Sequence, residues 1–196
     1  FYPSGYRKAA ILTLDGVGEW SVSSWGIGEG NKIEIYKELR FPHSLGLLYS
    51  VFTAFLGFKV NEGEYKVMGM APYGTPRFLN KIKKLLKIYD DGSIKLNMDY
   101  FTYHCSPDKS FNKKFEALFG KPREPEELFF TKKTGYPLFW GKKPINYKSK
   151  LIENQKYADI AASIQKVTEK IILKMCNHLH RETGLTNLCM AGGVAL

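Results

Sequence analysis

The stretch Ala10-Ile-Leu-Thr-Leu-Asp15-Gly16-Val-Gly18-Glu19-Trp20 constrains this chain more than any other. Ile11, Leu12 and Leu14 form an apolar run of strand length, and Gly16 and Gly18 end it at once. A second strand is predicted from Ser21 to Ile27. Past the turn Gly28-Glu-Gly30-Asn31 comes a third, Lys32 to Leu39, in which Ile33 and Ile35 alternate with Glu34. The result is two hairpins in succession, the first with an acid between a strand end and two glycines. That arrangement fits two chemistries. Glycine amides can approach an anion while the carboxylate holds a cation, or the bend is an Asp-Gly hairpin turn with no ligand.

A chain of 196 residues, 44% of them apolar, can build one large domain or two small lobes. It starts at Phe1 and stops at Leu196 inside a glycine loop, which suggests a piece of a longer protein. The longest uncharged apolar run, Ser44 to Phe58, is shorter than the roughly 18–20 residues that span a bilayer, so no membrane partner is expected. Cys105, Cys176 and Cys189 are scattered and odd in number, which argues against a disulfide framework or zinc site and fits a reducing cytoplasm. The net charge of +10 raises the question of nucleic acid. However, Lys81, Lys83, Lys84 and Lys87, like Lys109, Lys113 and Lys114, interleave with apolar residues as on the solvated faces of amphipathic helices. No nucleic-acid partner is expected.

Further along, Ser44 is placed as the N-cap of a helix running through Phe58, with Leu45, Leu48, Phe52 and Phe55 on its buried side and His43 just outside. The run from Gly63 to Gly74, glycines and a proline around Lys66, is predicted to be a loop of fixed geometry. A helix is predicted from Pro76 to about Tyr89, stopped by Asp90-Asp91-Gly92. A strand from Ser93 to Tyr103 and a helix around Phe111 to Phe119 should follow. Residues 120–150 lack any period and are predicted to form an insertion or a partly ordered excursion, rather than a domain linker, in which Phe139 and Trp140 pack. A long helix from about Gln155 to Glu182 follows, with Ile160, Ile164, Val167, Ile171, Met175 and Leu179 on one face and Gly184 as its C-cap. His178 and His180 point to different sides of it and make a poor ligand pair. Asn187 to Ala191 is a short apolar strand entering Gly192-Gly193-Val194, where backbone amides can meet a phosphate or ribose.

Several stretches together resemble one family. Leu14-Asp-Gly-Val-Gly-Glu19, Ser44-Leu-Gly46, Gly63-Glu-Tyr-Lys-Val-Met-Gly69, Ala71-Pro-Tyr-Gly74, Asp159-Ile-Ala-Ala-Ser-Ile-Gln165 and Cys189-Met-Ala-Gly-Gly-Val-Ala-Leu196 are similar, in order and over nearly the whole chain, to the NodU/CmcH/TobZ carbamoyltransferases. The resemblance implies an α/β fold of the actin/sugar-kinase/Hsp70 type (ribonuclease H-like), with residues 1–196 as the central part of a Kae1-like domain. It further implies a YrdC-like domain in the same parent chain that makes carbamoyl adenylate from ATP and carbamoyl phosphate. The Kae1-like domain would then pass the carbamoyl group to a hydroxyl of a small metabolite and release AMP.

Carried over position by position, the resemblance makes Asp15 a catalytic aspartate and a ligand of a metal, iron or another divalent ion. It sets Gly16, Gly18, Gly192, Gly193 and Val194 near the adenylate, puts Lys66 in a glycine-flanked loop suited to phosphate or carbamoyl contact, and puts His43 and Ser44 near the acceptor pocket. The family's paired histidine ligands would fall before Phe1, and a further ligand aspartate and an asparagine after Leu196. The chain alone is therefore expected to bind iron weakly or not at all and to lack transferase activity. Two other functions remain open at this point: a sugar-kinase-like phosphotransferase on the same fold, and a non-catalytic binding module.

Overall fold

The computed structural model describes residues 1–106 and 108–195, so Leu196, the last residue of the closing diglycine run, lies outside it. The chain is α/β and divides into two compact units. The first comprises Phe1–Tyr49, Leu85–Met98 and Thr168–Leu196; the second comprises Ser50–Lys84 and Asp99–Val167.

The first unit is built on a mixed four-stranded sheet in the order β3-β2-β1-β6. Strand β1 (Lys8–Leu14) runs antiparallel to β2 (Ser21–Glu29), with Lys8 opposite Glu29 and Leu14 opposite Ser23. Strand β3 (Lys32–Arg40) continues the meander, and two register shifts interrupt its pairing with β2. The predicted hairpins are therefore present. Ala9 to Leu12 and Leu14 are all buried, as expected of an inner strand covered on both faces. The Thr13 and Ser24 hydroxyls, opposite each other across β1 and β2, share a 2.6 Å hydrogen bond. β3 is the outermost strand of this sheet, and most of its side chains are exposed.

A second, two-stranded sheet pairs β4 (Leu86–Ile88) with β5 (Ile94–Leu96). This corrects two expectations. The helix predicted from Pro76 to Tyr89 is only α3 (Leu79–Ile82), and the strand predicted from Ser93 to Tyr103 stops at Leu96. Asp90-Asp91-Gly92, read as a helix stop, is a hairpin turn: Gly92 takes φ 85°, and Tyr89 N–H donates to Ser93 O at 2.9 Å. Gly92 is obligatory there, since a Cβ would stand 2.6 Å from the Met175 backbone nitrogen.

Helix α1 (Leu45–Phe55) starts where Ser44 predicts, and ends three residues earlier than expected. Its buried side is as predicted, Leu45, Leu48, Phe52 and Phe55 all being 1% exposed or less. In the second unit Phe52 and Phe55 meet Phe115 and Phe119 of α4 (Lys113–Phe119) edge-on, with ring centroids 5.2–6.0 Å apart. Asn112 caps α4, its Oδ1 accepting from Lys114 N–H at 2.9 Å.

The predicted loop at Gly63–Gly74 is instead α2 (Glu64–Met70) followed by a 3-10 turn over Ala71–Tyr73. Val67 and Met70, three apart, supply its buried side, and Glu64 fixes its start by accepting from Ser50 Oγ and Asn61 N–H. The Ala71–Gly74 turn is then clasped by Asp159, 5% exposed, which accepts from Thr75 N–H at 2.8 Å and Gln155 Nε2 at 3.0 Å.

Helix α5 (Tyr147–Thr183) carries the predicted face, from Ile160 to Leu179, fully in the core, and Gly184 ends it at φ 65°. Burying such side chains stabilises by roughly 1.5–3 kcal/mol each. The helix begins eight residues before the predicted start, with Phe130 stacked on Tyr147 at 5.3 Å. Residues 120–146 hold only a 3-10 turn, Leu138–Trp140. Trp140 rests on Tyr136 at 5.5 Å, but Phe139, expected to pack, is 85% exposed.

Candidate functional site

The bend after β1 and the bend after β6 (Leu188–Ala191) are neighbours because the two strands pair in parallel, Thr13 opposite Ala191. Both bends therefore leave the sheet at the same ends of adjacent strands. In an undisturbed parallel ladder the Leu14 carbonyl would accept from residue 193. Here it accepts from Val194 N–H at 3.0 Å, so the chain gains one residue and the Gly193 amide is displaced from the ladder. Gly192, at φ 100°, makes the slip possible, and any side chain on it would run into the Leu14 backbone. A Cβ on Gly193 would meet only Asp15 Oδ1, at 3.5 Å. The diglycine and the Asp15 carboxylate thus come together. Of the amides in this bend, Val194 N–H is already spent on the sheet and Ala195 N–H on Gly192 O at 2.9 Å.

Asp15 is itself fixed from three sides. Its amide donates to Val22 O at 2.9 Å, its Oδ1 accepts from Gly16 N–H at 2.8 Å, and its carbonyl accepts from Ser44 Oγ at 3.0 Å. Ser44, fully buried, also accepts from Leu47 N–H at 3.0 Å and so caps α1. The hydroxyl expected near an acceptor is thereby engaged in holding the bend. Gly46, the second residue of α1, is not among the expected site residues. A Cβ there would lie 2.7 Å from Asp15 O and 2.8 Å from Gly16 Cα, so the helix lies directly on the bend. The signal for it was a glycine in a helical first turn, where propensity alone disfavours it.

His43 accepts from Leu96 N–H through Nδ1 at 3.3 Å, which leaves its proton on Nε2. Burial, and after it the charge of Lys95, holds its pKa below the usual imidazole value. Gly16 and Gly18 differ in kind. Gly18, at φ 55°, tolerates no side chain because of Ser21 O, whereas a Cβ on Gly16 meets nothing within 4 Å. Lys66 belongs to the second unit, on α2, exposed, with its ammonium 5.9 Å above the Phe58 ring. Among the described residues no three His, Cys, Asp or Glu side chains group as a metal site requires. Asp15 supplies one carboxylate, and these residues by themselves do not fit a divalent cation.

No helix among the described residues is long and apolar enough to cross a membrane. Compared with known proteins, residues 1–196 match the family described as Carbamoyltransferase N-terminus. The chain is 47% identical over 197 residues to an uncharacterized protein of Synechocystis sp., covering all of this chain and 28% of that protein. It is 28% identical over 196 residues to nodulation protein NolO of Bradyrhizobium diazoefficiens, covering all of this chain and 29% of NolO. Against nodulation protein NolNO of Sinorhizobium fredii the identity is 27% over 196 residues, with 24% of that protein covered. The chain thus spans less than a third of the length of these relatives.

Proposed function

We propose, because this chain belongs to the carbamoyltransferase N-terminal family, that it forms the nucleotide-facing part of an ATP-dependent O-carbamoyltransferase. The observation that carries this is the clasp between Val194 N–H and Leu14 O, which sets a displaced diglycine amide beside the Asp15 carboxylate. The meander β1-β2-β3 with a parallel strand added at β1 is the arrangement expected of a ribonuclease H-like nucleotide-binding fold, with residues 120–150 as its variable insertion.

In this reading carbamoyl adenylate, made from ATP and carbamoyl phosphate by a YrdC-like domain of the same parent chain, lies over Gly16, Gly18, Gly192 and Gly193. The acceptor oxygen attacks the carbamoyl carbon, the bond from that carbon to the AMP oxygen breaks, and the hydroxyl proton passes to solvent or a base. The displaced Gly193 amide donates to the leaving phosphate. His43, with its proton on Nε2, and Ser44, through the bend it holds, border the acceptor side. Lys66, on the second unit, is a separate candidate for phosphate or carbamoyl contact. Asp15 would lend a single carboxylate to a divalent metal such as iron, which would need further ligands from outside residues 1–196. The chain alone is accordingly inactive and holds iron weakly; chelator-resistant, stoichiometric iron in the isolated chain would refute this. A cytoplasmic setting, consistent with three free cysteines, belongs to the same proposal.

The test is product analysis on the full-length protein with a hydroxylated acceptor. Carbamoylated product with AMP is expected, and Asp15→Ala should remove it. Phosphorylated acceptor with ADP would point to a sugar-kinase-like enzyme. Unchanged transfer by Asp15→Ala would take Asp15 out of the mechanism, and no turnover of any acceptor would favour a binding module.

A further inference from the structure

Among the described residues, the second unit carries an apolar tip left open to solvent. In the 3-10 turn Leu138–Trp140, Leu138 is 94% and Phe139 85% exposed, and Ile145 shortly after it is fully exposed. One such side chain is ordinary on a protein surface; three on one short excursion are not. The tip stands on a fixed stem. Phe130, buried, stacks on Tyr147 at 5.3 Å, and Tyr136 meets Phe130, Trp140 and Tyr147 edge-on at 5.2, 5.5 and 5.9 Å. Gly141, at φ 81°, turns the chain back, and its N–H donates to Leu138 O at 3.0 Å. Four rings thus hold the excursion in place, so presenting Leu138 and Phe139 to a partner costs little further ordering.

Charge states what the tip meets. From Leu128 to Ile152 the sequence holds six lysines and no acidic residue. Lys150 is engaged by Glu127 and Glu153, and Lys133 Nζ donates to Pro72 O at 3.2 Å. Lys132, Lys142, Lys143 and Lys148 are all exposed, and Lys142 and Lys143 follow the turn directly. Apolar side chains offered beside ammonium groups match an anionic bilayer, whose acyl boundary takes the one and whose headgroups take the other. Leu138 and Ile145 have no ring on which a base could stack, which disfavours single-stranded nucleic acid. A second copy would set these lysines against their own kind. We propose that this excursion docks the protein reversibly on an anionic membrane surface, with Leu138 and Phe139 entering the headgroup–acyl boundary and Lys142 and Lys143 meeting the headgroups. The expectation of no membrane partner rests on the length needed to span a bilayer, and lying at its surface demands no such length. Nothing in the proposal depends on the carbamoyltransferase reading.

The test is vesicle flotation with the full-length protein. Vesicles of pure phosphatidylcholine are compared with vesicles carrying about one-third phosphatidylserine, at low and at high salt. Binding to the anionic vesicles is expected at low salt, at least tenfold tighter than to the neutral ones, and several-fold weaker at high salt. The double variant Leu138→Ser/Phe139→Ser should weaken it at least tenfold, and Lys142→Gln/Lys143→Gln several-fold. Thermal melting should be unchanged in both, since all four side chains are exposed. The serine pair keeps every charge, so it separates docking through the tip from the attraction of a basic chain to any acidic surface. Absence of flotation with anionic vesicles, or binding undiminished in the serine pair, overturns the proposal. So does a Phe139→Cys thiol shielded from a water-soluble maleimide before lipid is added, the result expected if another part of the parent protein or a second copy covers the tip. Retention of a uridine oligonucleotide in place of vesicles would assign the patch to nucleic acid and overturn it as well.

Discussion

Ser44 Oγ donates to the Asp15 carbonyl at 3.0 Å while accepting from Leu47 N–H at the same distance, so one buried hydroxyl joins the first turn of α1 to the bend after β1. Removing it leaves a carbonyl and a helical amide without their partner. Ser44→Ala is predicted to cost about 1–2 kcal/mol, as a lost N-cap and buried hydrogen bond typically do. Urea denaturation checks this, with a lower midpoint at an unchanged slope expected.

Gly46 and Gly16 lie against each other but should respond oppositely to alanine. At Gly46 the new methyl presses on the Asp15 and Gly16 backbone, which cannot swing aside, and a loss of about 2 kcal/mol or more is predicted. At Gly16 it meets nothing within 4 Å, so stability should change by no more than about 0.5 kcal/mol. If the Gly16 backbone approaches an adenylate, Gly16→Ala should still reduce carbamoyl transfer by the full-length protein. Thermal melting and transfer rates, measured together, separate the two effects.

The turn between β4 and β5 contains an acid-sensitive contact. Burial tends to raise the Asp91 carboxyl, but hydrogen bonds from Lys37 and Ser93 outweigh it and bring its pKa down to about 2. The folded value lies below the unfolded one, so the stabilisation is present above about pH 4 and is lost as pH falls toward 2. Discounted for partial exposure, it amounts to about 1–2 kcal/mol. Acid titration of Asp91→Asn should show a flatter stability curve between pH 4 and 2 than the parent.

His43 titrates in a milder range with the same sign. Its folded pKa lies below the ordinary imidazole value, through burial and then Lys95, so protonation opposes folding and takes the acceptor from Leu96 N–H. Stability should decline as pH falls below about 6.5. An NMR titration of the His43 ring placing its pKa above that value would contradict this account.

Sequence reasoning succeeded where one physical signal dominated. The alternation of Ile33 and Ile35, the cap at Ser44 and the spacing from Ile160 to Leu179 each reflect local geometry that tertiary contacts reinforce. It fails where glycine content mimics irregularity. Gly63 only precedes α2, and Gly69 sits on its open side, so the three-residue spacing of Val67 and Met70 decides the structure. It failed again at Asp90-Asp91-Gly92, where helix stop and hairpin turn share the same residues and only the pairing of Leu86 with Leu96 distinguishes them. At the candidate site the Asp15 and diglycine bends were legible as glycine punctuation. The pressure of Gly46 on them comes from a helix meeting a bend, which no single stretch encodes.

The outermost strand has a bearing on how this protein keeps to itself. β3 interleaves Lys32, Glu34, Lys37, Glu38 and Arg40 with the half-exposed Ile33, Ile35 and Tyr36, and its register slips twice against β2. Charges and irregular pairing deter a foreign strand from zipping onto such a rim. Neutralising Lys32, Glu34 and Glu38 together would leave a β-branched and aromatic ribbon with unsatisfied backbone groups, a template for fibrillar self-assembly in a protein whose interior had not been touched.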